Sequence, residues 1–492
     1  MLYASVMKKW FELTMKWCNK NEWMMFLFLV MIVMRLPSLF APHHYGDEEI
    51  YFVMGRAWKT GEGLYQQAFD HKPPLIYIVA GIAESVFWFR TILLGWMLVH
   101  TYLFFEVAKV LWGNLRPKMA YLSSFVFVIL TSLPMIEGNI ANAELFMMMP
   151  ITASLLILLK ARDNSWRKLL VAGVVAGIGL LFKIPVVFDM IGILLFFLLY
   201  EKRSWRQIFV VGLGFVLPLL FSIIYYQLKG VGADYIRAAI TVNFGYVSAW
   251  ATSSSQFEPL KSGLVIRGLI LAGYVASLYF FRKKLGREYV LALSWLAFST
   301  FGALLSGRPY PHYLQQPVVP LALFLPFLFV IDKTIKWIVV GVSIILAIVI
   351  QKQIGFWWYP NVKIYQDFWQ YVTGRIDEVE YRNSFDSAKR NYAVADYLRE
   401  RLGDDDQIYL WGYDVAIYNL TNKKLVGGKY MVDFHVRDWQ AFSLVMKELE
   451  RNKPKYIIML PGAVKFEELE AMIAREYLFV ATIEEVMIWQ RI

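Results

Sequence analysis

The stretch Leu75–Phe89, LIYIVAGIAESVFWF, decides how this chain is threaded. It is apolar enough to enter a bilayer, yet it is only 15 residues long and carries Glu84. A helix rises about 1.5 Å per residue and needs roughly 20 residues to cross the hydrocarbon. Counted as a span, the stretch would put the basic turn at 109–118 on the outer side and reverse every connection after it. Read as an interfacial or re-entrant helix, it leaves all the basic turns on one side. That second reading is the one the charge pattern supports.

Outward from it, the composition is that of a membrane protein. The chain has 492 residues, of which 58% are hydrophobic and 18% charged, with a mean hydropathy of +0.45. Apolar runs recur near 23–36, 91–111, 118–135, 143–160, 168–182, 185–200, 207–228, 263–281, 288–305, 315–331 and 335–353. About eleven transmembrane helices are expected. The net charge of +11 forms no single patch of the kind nucleic acid needs, so no nucleic-acid partner is expected. The only cysteine, Cys18, excludes an intramolecular disulfide. The first apolar run has no small-residue cleavage site after it and is read as a retained anchor.

Every second connection is basic. Lys8, Lys9, Lys16 and Lys20 precede the first run, and Lys109, Arg116 and Lys118 follow the second. Lys160, Arg162, Arg167 and Lys168 follow the fourth, and Lys202, Arg203 and Arg206 the sixth. Arg282, Lys283, Lys284 and Arg287 follow the eighth, and Lys333 and Lys336 the tenth. The positive-inside rule then places the N-terminus in the cytoplasm, with the loop at 37–90 and everything after the last span outside. A plasma-membrane protein is expected, with a membrane domain at 1–353 and an extracytoplasmic domain at 354–492.

That last part has soluble patterns. Helices fit 386–401 and 437–451, and strands fit 407–412, 455–460 and about 478–490. A small α/β domain follows, without a glycine-rich phosphate loop and hence without a nucleotide site. It either docks passively or contacts substrate. Gly173 and Gly177 form a G-x-x-x-G pair suited to close helix packing.

Polar residues gather on the outer side. The first outer loop holds His43, His44, Asp47, Glu48, Glu49, Asp70, His71 and Lys72. The next holds Glu137, Asn139, Asn142 and Glu144; Lys183 sits at the outer end of the fifth span, and Arg308, His312 and Tyr313 lie after the ninth. The inner loops are too short to form a domain that holds a nucleotide-activated substrate, so a reactant is expected from the lipid or the outer compartment. A carboxylate suits general-base activation of an acceptor hydroxyl. Lys72, Lys183, Arg308 or His312 suit stabilisation of a departing phosphate. Such a direct displacement inverts the sugar's anomeric configuration.

The first loop, with Leu36-Pro37, Gly46-Asp47-Glu48, Tyr51, Gly63-Leu64-Tyr65 and Lys72-Pro73-Pro74-Leu75, resembles that of lipid-phosphate-sugar-dependent membrane glycosyltransferases of the C-type fold. The likeness is to the protein O-mannosyltransferase and aminoarabinose transferase group. Arg308-Pro309-Tyr310-Pro311-His312-Tyr313 with Pro317 resembles a late outer loop of bacterial members. The resemblance implies a sugar donor on polyprenyl or dolichyl phosphate. It casts Asp47 as the base, Glu48 as its catalytic neighbour and Lys72 as a phosphate contact. Lys183, Arg308, His312, Tyr313, Glu144 and Asn142 are the further candidates for donor or acceptor binding. Several relatives carry an aspartate in the second outer loop where this chain offers Glu137 or Glu144.

Three other readings stay open. His43 and His44 with Asp47 and Glu48 have the donor chemistry for a divalent metal, although the spacing fits no tight motif and no cofactor is required. A proton-coupled transporter or flippase of a lipid-linked saccharide would use the same carboxylates, but it calls for ionisable groups at mid-depth and two related halves. Lys183 and His312 also fit plain structural roles, and Glu84 is read as structural.

Overall fold

The computed structural model describes residues 21–61, 63–113, 116–161, 163, 165–244 and 263–492. The expectations for Lys8, Lys9, Lys16, Lys20, Cys18 and Arg162 lie outside the described residues.

All of the apolar runs are helical. The helices are Glu22–Leu39, Val86–Trp112, Pro117–Ser132, Ala143–Lys160, Trp166–Leu180, Val186–Leu199, Trp205–Leu228, Gly263–Phe281, Arg287–Ala303, Gln315–Phe324 and Lys333–Ile354. Six of these are long and apolar enough to cross a membrane by length and composition. Helices Trp205–Leu228, Gly263–Phe281 and Lys333–Ile354 turn residues such as Phe221, Ile270 and Ile345 outward. Lipid is the solvent that such surfaces fit. The expected small-residue contact is present: a β-carbon at Gly173 or Gly177 would run into the carbonyls of Val211 or Phe215 on the neighbouring helix.

The deciding stretch is not one element. Leu75–Ala83 is a helix of 9 residues, ended by Glu84 at φ 60°. Ser85 then caps the next helix through Trp88 N at 3.4 Å, so Val86–Phe89 open the long helix that the hydropathy pattern begins at 91. Glu84 is exposed and ion-paired with Lys59, which fits its structural reading.

The lysine- and arginine-rich turns meet at one end. Arg203 donates to Leu158 O at 2.7 Å, Arg116 to the Tyr289 hydroxyl at 3.2 Å, and Arg287 pairs with Glu201. The loops at 40–45, 133–142, 181–185 and 304–314 lie at the opposite end, where the segment 361–492 reaches His43 N through Tyr392, Met135 N through Asn361 and Arg308 through Asp438.

There, strands β1 (Ile408–Trp411), β2 (Tyr456–Met459), β3 (Tyr477–Ile483) and β4 (Val486–Arg491) form one sheet in the order β1-β2-β4-β3. β1 and β2 run parallel, and the other pairs run antiparallel. The single strand expected at about 478–490 is a hairpin. Glu484 and Glu485, at φ 47° and 65°, make the tight turn that a two-residue connection of right-twisted strands requires. Helices Ala388–Arg399, Phe442–Asn452 and Glu467–Glu476 accompany the sheet. It is tied to the first loop by Phe69 N on Lys429 O at 2.8 Å and by Asn419 Nδ2 on Glu49 Oε2 at 2.7 Å.

Candidate active site

Helix Gly46–Lys59 begins with three acids, a favourable sign for the positive end of a helix. Successive helical residues point about 100° apart, so each acid meets a different neighbour. Asp47 faces Lys72, with Oδ2 3.5 Å from the ammonium and 3.1 Å from the Tyr51 hydroxyl that donates to it. Glu48 accepts Arg90 Nε at 3.0 Å, Arg90 Nη2 at 2.5 Å and Ala141 N at 2.8 Å. Glu49 meets His43 at 2.9 Å and Asn419. Exposure separates them: the Asp47 side chain is 31% accessible, whereas those of Glu48 and Glu49 are each 1%. Asp47 alone of the three keeps an open face. Glu48 neutralises a buried guanidinium.

Backbone contact sets the Asp47–Lys72 pair. Helix Gly46–Lys59 crosses Leu75–Ala83 where glycine meets glycine, and a β-carbon at Gly55 would lie 2.5 Å from Gly81 N. Lys72 is buried between Asp47 and Asp70, 3.3 Å from Asp70 Oδ2, with its ammonium 4.9 Å from the centre of the Tyr51 ring. Tyr77 donates to the same Asp70 oxygen at 2.8 Å. Burial works to raise the Asp47 carboxyl, but Lys72, with His312 and Lys183 behind it, outweighs burial and holds it below the ordinary value. A low carboxyl stays ionised and able to accept a proton across the physiological range.

Beside this pair lies a cleft. Lys72, Lys183, Glu144 and Tyr313 line its polar part, and Ile184, Pro185, Phe188 and Leu305 its apolar wall. Lys183 pairs with Glu144 and sits 4.3 Å from the centre of the Tyr313 ring. His312 places Nδ1 2.5 Å from Glu137 Oε2 and Nε2 3.8 Å from Glu144 Oε1. Burial lowers the tendency of His312 to hold a proton, but Glu144 and Glu137 more than reverse this, so its pKa rises above the ordinary value. Tyr45 donates to Glu137 Oε2 at 2.6 Å, and Asn142 Nδ2 donates to the Tyr45 hydroxyl at 3.3 Å. Both second-loop acids are thus engaged, Glu137 by the histidine and Glu144 by the lysine.

Residues from four loops, Asp47, Lys72, Glu144, Asn142, Lys183, His312 and Tyr313, therefore converge as one polar cluster. Arg308 does not join them at the cavity: its Nη2 is 3.7 Å from Asp438 on the short helix Asp433–Asp438. Sequence reasoning missed Tyr45, Gln316 and Asn243. Tyr45 adjoins the acidic run and was within reach. Gln316 and Asn243 carried no local signal and are recognised by lining the cavity or closing onto it, Asn243 through His71 O at 2.9 Å.

The metal set considered from sequence is not assembled. His43 is held by Glu49, Glu48 by Arg90, and His44 Nδ1 by Pro42 O at 2.9 Å. A different trio does gather: Asp70, His71 and His435 place one ligand atom each within 4.8 Å of the others.

Residues 71–226 match the family described as dolichyl-phosphate-mannose-protein mannosyltransferase. ArnT from Cupriavidus metallidurans, crystallised with undecaprenyl phosphate, superposes with a TM-score of 0.61 at 14% identity, over 96% of this chain and 98% of that one. The fold is that of ArnT. The resemblance to lipid-phosphate-dependent membrane glycosyltransferases read from the loop motifs is thereby shown. Lys72-Pro73-Pro74 falls inside the matched stretch, and Asp47 lies before it. The archaeal oligosaccharyltransferase AglB from Archaeoglobus fulgidus, in complex with an inhibitory peptide and a dolichol-phosphate, gives a TM-score of 0.44 at 13% identity, over 90% of this chain and 70% of that one. No curated protein sequence matches the chain.

Proposed function

We propose that this chain is an integral membrane glycosyltransferase. It moves a sugar from a polyprenyl or dolichyl phosphate to a hydroxyl or similar nucleophile of a protein, lipid or glycan on the outer face. The N-terminus is cytoplasmic, residues 1–353 span the plasma membrane about eleven times, and residues 354–492 lie outside.

One observation carries the reading. A partly open carboxylate, Asp47, stands 3.5 Å from an ammonium that borders a cavity with a second ammonium and an apolar wall. Lys72 and Lys183 suit a phosphate, and Ile184, Pro185, Phe188 and Leu305 suit the first isoprene units behind it. ArnT, which has this fold, was crystallised with undecaprenyl phosphate. In the proposed reaction Asp47 accepts the acceptor's proton as its oxygen attacks the anomeric carbon. The carbon–oxygen bond to phosphate breaks, and its electron pair leaves with a phosphate met by the two lysines. One displacement inverts the centre. No cofactor is part of the proposed step.

The transporter reading loses ground on position. Arg35, Arg90, Asp189 and Arg267 lie near helix ends, and the mid-helix His100 is engaged by Thr152 Oγ1 at 2.9 Å. The deciding test offers membranes a labelled polyprenyl-phosphate sugar. Transfer that depends on Asp47 and Lys72 supports the proposal. Movement of intact donor across the bilayer, with no glycosidic bond broken, refutes it.

A further inference from the structure

Gln316, in the first turn of helix Gln315–Phe324, is 2% exposed and lines the cleft that holds Lys72 and Lys183. Its Nε2 donates to Pro185 O at 3.1 Å and to Asp189 Oδ2 at 2.5 Å. A backbone carbonyl can only accept, so the amide atom facing Pro185 is the nitrogen, and both its hydrogens are used. The other Asp189 oxygen takes Trp295 Nε1 at 2.7 Å. This carboxylate is 0% exposed, one turn into helix Val186–Leu199, and both of its partners are neutral. An acid kept there with no bonded cation to neutralise points to a task beyond packing. The Gln316 oxygen accepts no hydrogen bond from the described residues, and unlike the Gln315 oxygen it is not sealed from open space. Gly302 makes room for this arrangement: a β-carbon there would lie 2.8 Å from Gln316 Nε2 and 3.2 Å from the Phe188 ring. The nitrogen is pinned to the wall, and the oxygen is the atom left for the cleft.

We propose that Gln316 reads a hydroxyl of the transferred sugar, and that Asp189 is a positioning residue that holds the amide this way round. The inference rests on the glycosyltransferase reading above. An amide oxygen can only accept. The isoprene chain of the donor has no O–H or N–H, and its phosphate diester is ionised at neutral pH. Of the parts of such a donor, only the sugar can offer this oxygen a proton. Lys72 and Lys183 meet the phosphate, and Gln316 meets what the phosphate carries. A buried acceptor separates sugars well, because a sugar with no hydroxyl at that place leaves the oxygen unpaired.

Full-length protein in detergent, with no acceptor present, is titrated with undecaprenyl phosphate alone and with undecaprenyl phosphate carrying mannose, glucose or galactose. These sugars differ only in the direction of their hydroxyls, so wild type should rank them. Gln316→Met, which keeps the length and removes the amide, should bind the best of them about 3–10-fold more weakly and narrow the ranking. It should bind bare undecaprenyl phosphate as wild type does. Asp189→Asn should show the same selective loss. Trp295 claims the remaining oxygen, the new amide nitrogen faces Gln316, and Gln316 turns its own nitrogen to the cleft. Loss of the bare lipid to the same degree makes Gln316 a packing residue and overturns the proposal. So does a wild type that does not rank the sugars, variants that rank them as wild type does, or a loss seen only once an acceptor is added. Sugar transfer that still depends on Asp47 and Lys72 beside any of those results removes this inference alone and leaves the glycosyltransferase reading standing.

Discussion

Asp47 and Glu48 are adjacent acids with opposite expected behaviour, and conservative amides separate them. Glu48→Gln keeps the shape and removes the charge. Three hydrogen bonds end on this carboxylate, two from Arg90 and one from Ala141 N, and both side chains of the ion pair are 1% accessible. The amide nitrogen cannot accept, so at least one donor faces another donor, and the guanidinium stays charged in a dry site. Breaking a buried pair from one side costs about 3–5 kcal/mol. Glu48→Gln should therefore unfold at clearly lower temperature or denaturant, whereas its turnover per folded molecule should stay close to wild type. Asp47→Asn should do the reverse. Its side chain is partly open, its folded stability should change little, and the loss of a general base should cost about 10²–10⁴ in rate. The double replacement Glu48→Leu with Arg90→Met, which removes both charges, should recover part of the stability that Glu48→Gln loses. The assays are thermal unfolding in detergent and transfer from a labelled polyprenyl-phosphate sugar, normalised to folded protein. If Glu48→Gln unfolds like wild type yet transfers nothing while Asp47→Asn remains active, the roles are reversed and the exposure argument fails.

Three further outcomes are expected. The acid limb of the rate profile should lie below the ordinary aspartate value, because Lys72 and His312 outweigh the burial of Asp47. His312, 3.8 Å from the Glu144 that pairs with Lys183, should set an alkaline limb above the ordinary histidine value, because Glu144 and Glu137 outweigh its burial. A raised pKa means that the His312 contribution to stability is full at low pH and is lost as pH rises through the folded-state value. His312→Gln should remove both the alkaline limb and that part of the stability profile; an unchanged profile refutes the assignment. Gly81→Val should push helix Gly46–Lys59 off Leu75–Ala83, since Gly55 O, Gly55 C and the Trp58 ring already crowd that position. Moving Asp47 by about 1 Å from Lys72 should cost on the order of 10²-fold in turnover, and wild-type turnover would refute the positioning argument. In a Cys18→Ser background, Thr373→Cys on intact cells should react with an impermeant thiol reagent and Lys283→Cys only after permeabilisation, with the opposite pattern refuting the orientation.

How much of this was legible in the sequence follows from which forces are local. A hydrophobic run long enough to reach across a bilayer specifies its own helix, so every apolar run from 23 to 353 came out as one, to within a few residues. The alternation of charged turns depends only on order along the chain, and it separated the two ends of the bundle that the structure shows. Motif spacing brought Asp47 and Lys72 together because a short loop and two crossing helices leave them little choice. His435 shows the limit. Its neighbours Asp70 and His71 are more than 360 residues earlier, and nothing periodic near Asp433–Asp438 marks it. The different settings of Glu48 and Asp47 have a more instructive source. In the hydropathy reading, the short helix ended at 89 and the next span began at 91, so Arg90 fell in the seam and belonged to no element. The structure begins that span at Val86, which carries Arg90 inward on its first turns and beneath Glu48. A guanidinium placed there must be neutralised by the nearest acid, and Glu48 is the acid on that side of its helix. The shifted helix boundary and the buried pairing of Glu48 are therefore one fact. Once Ser85 is recognised as a helix cap, Arg90 becomes a buried charge in need of a partner, and Asp47 is left as the more open carboxylate.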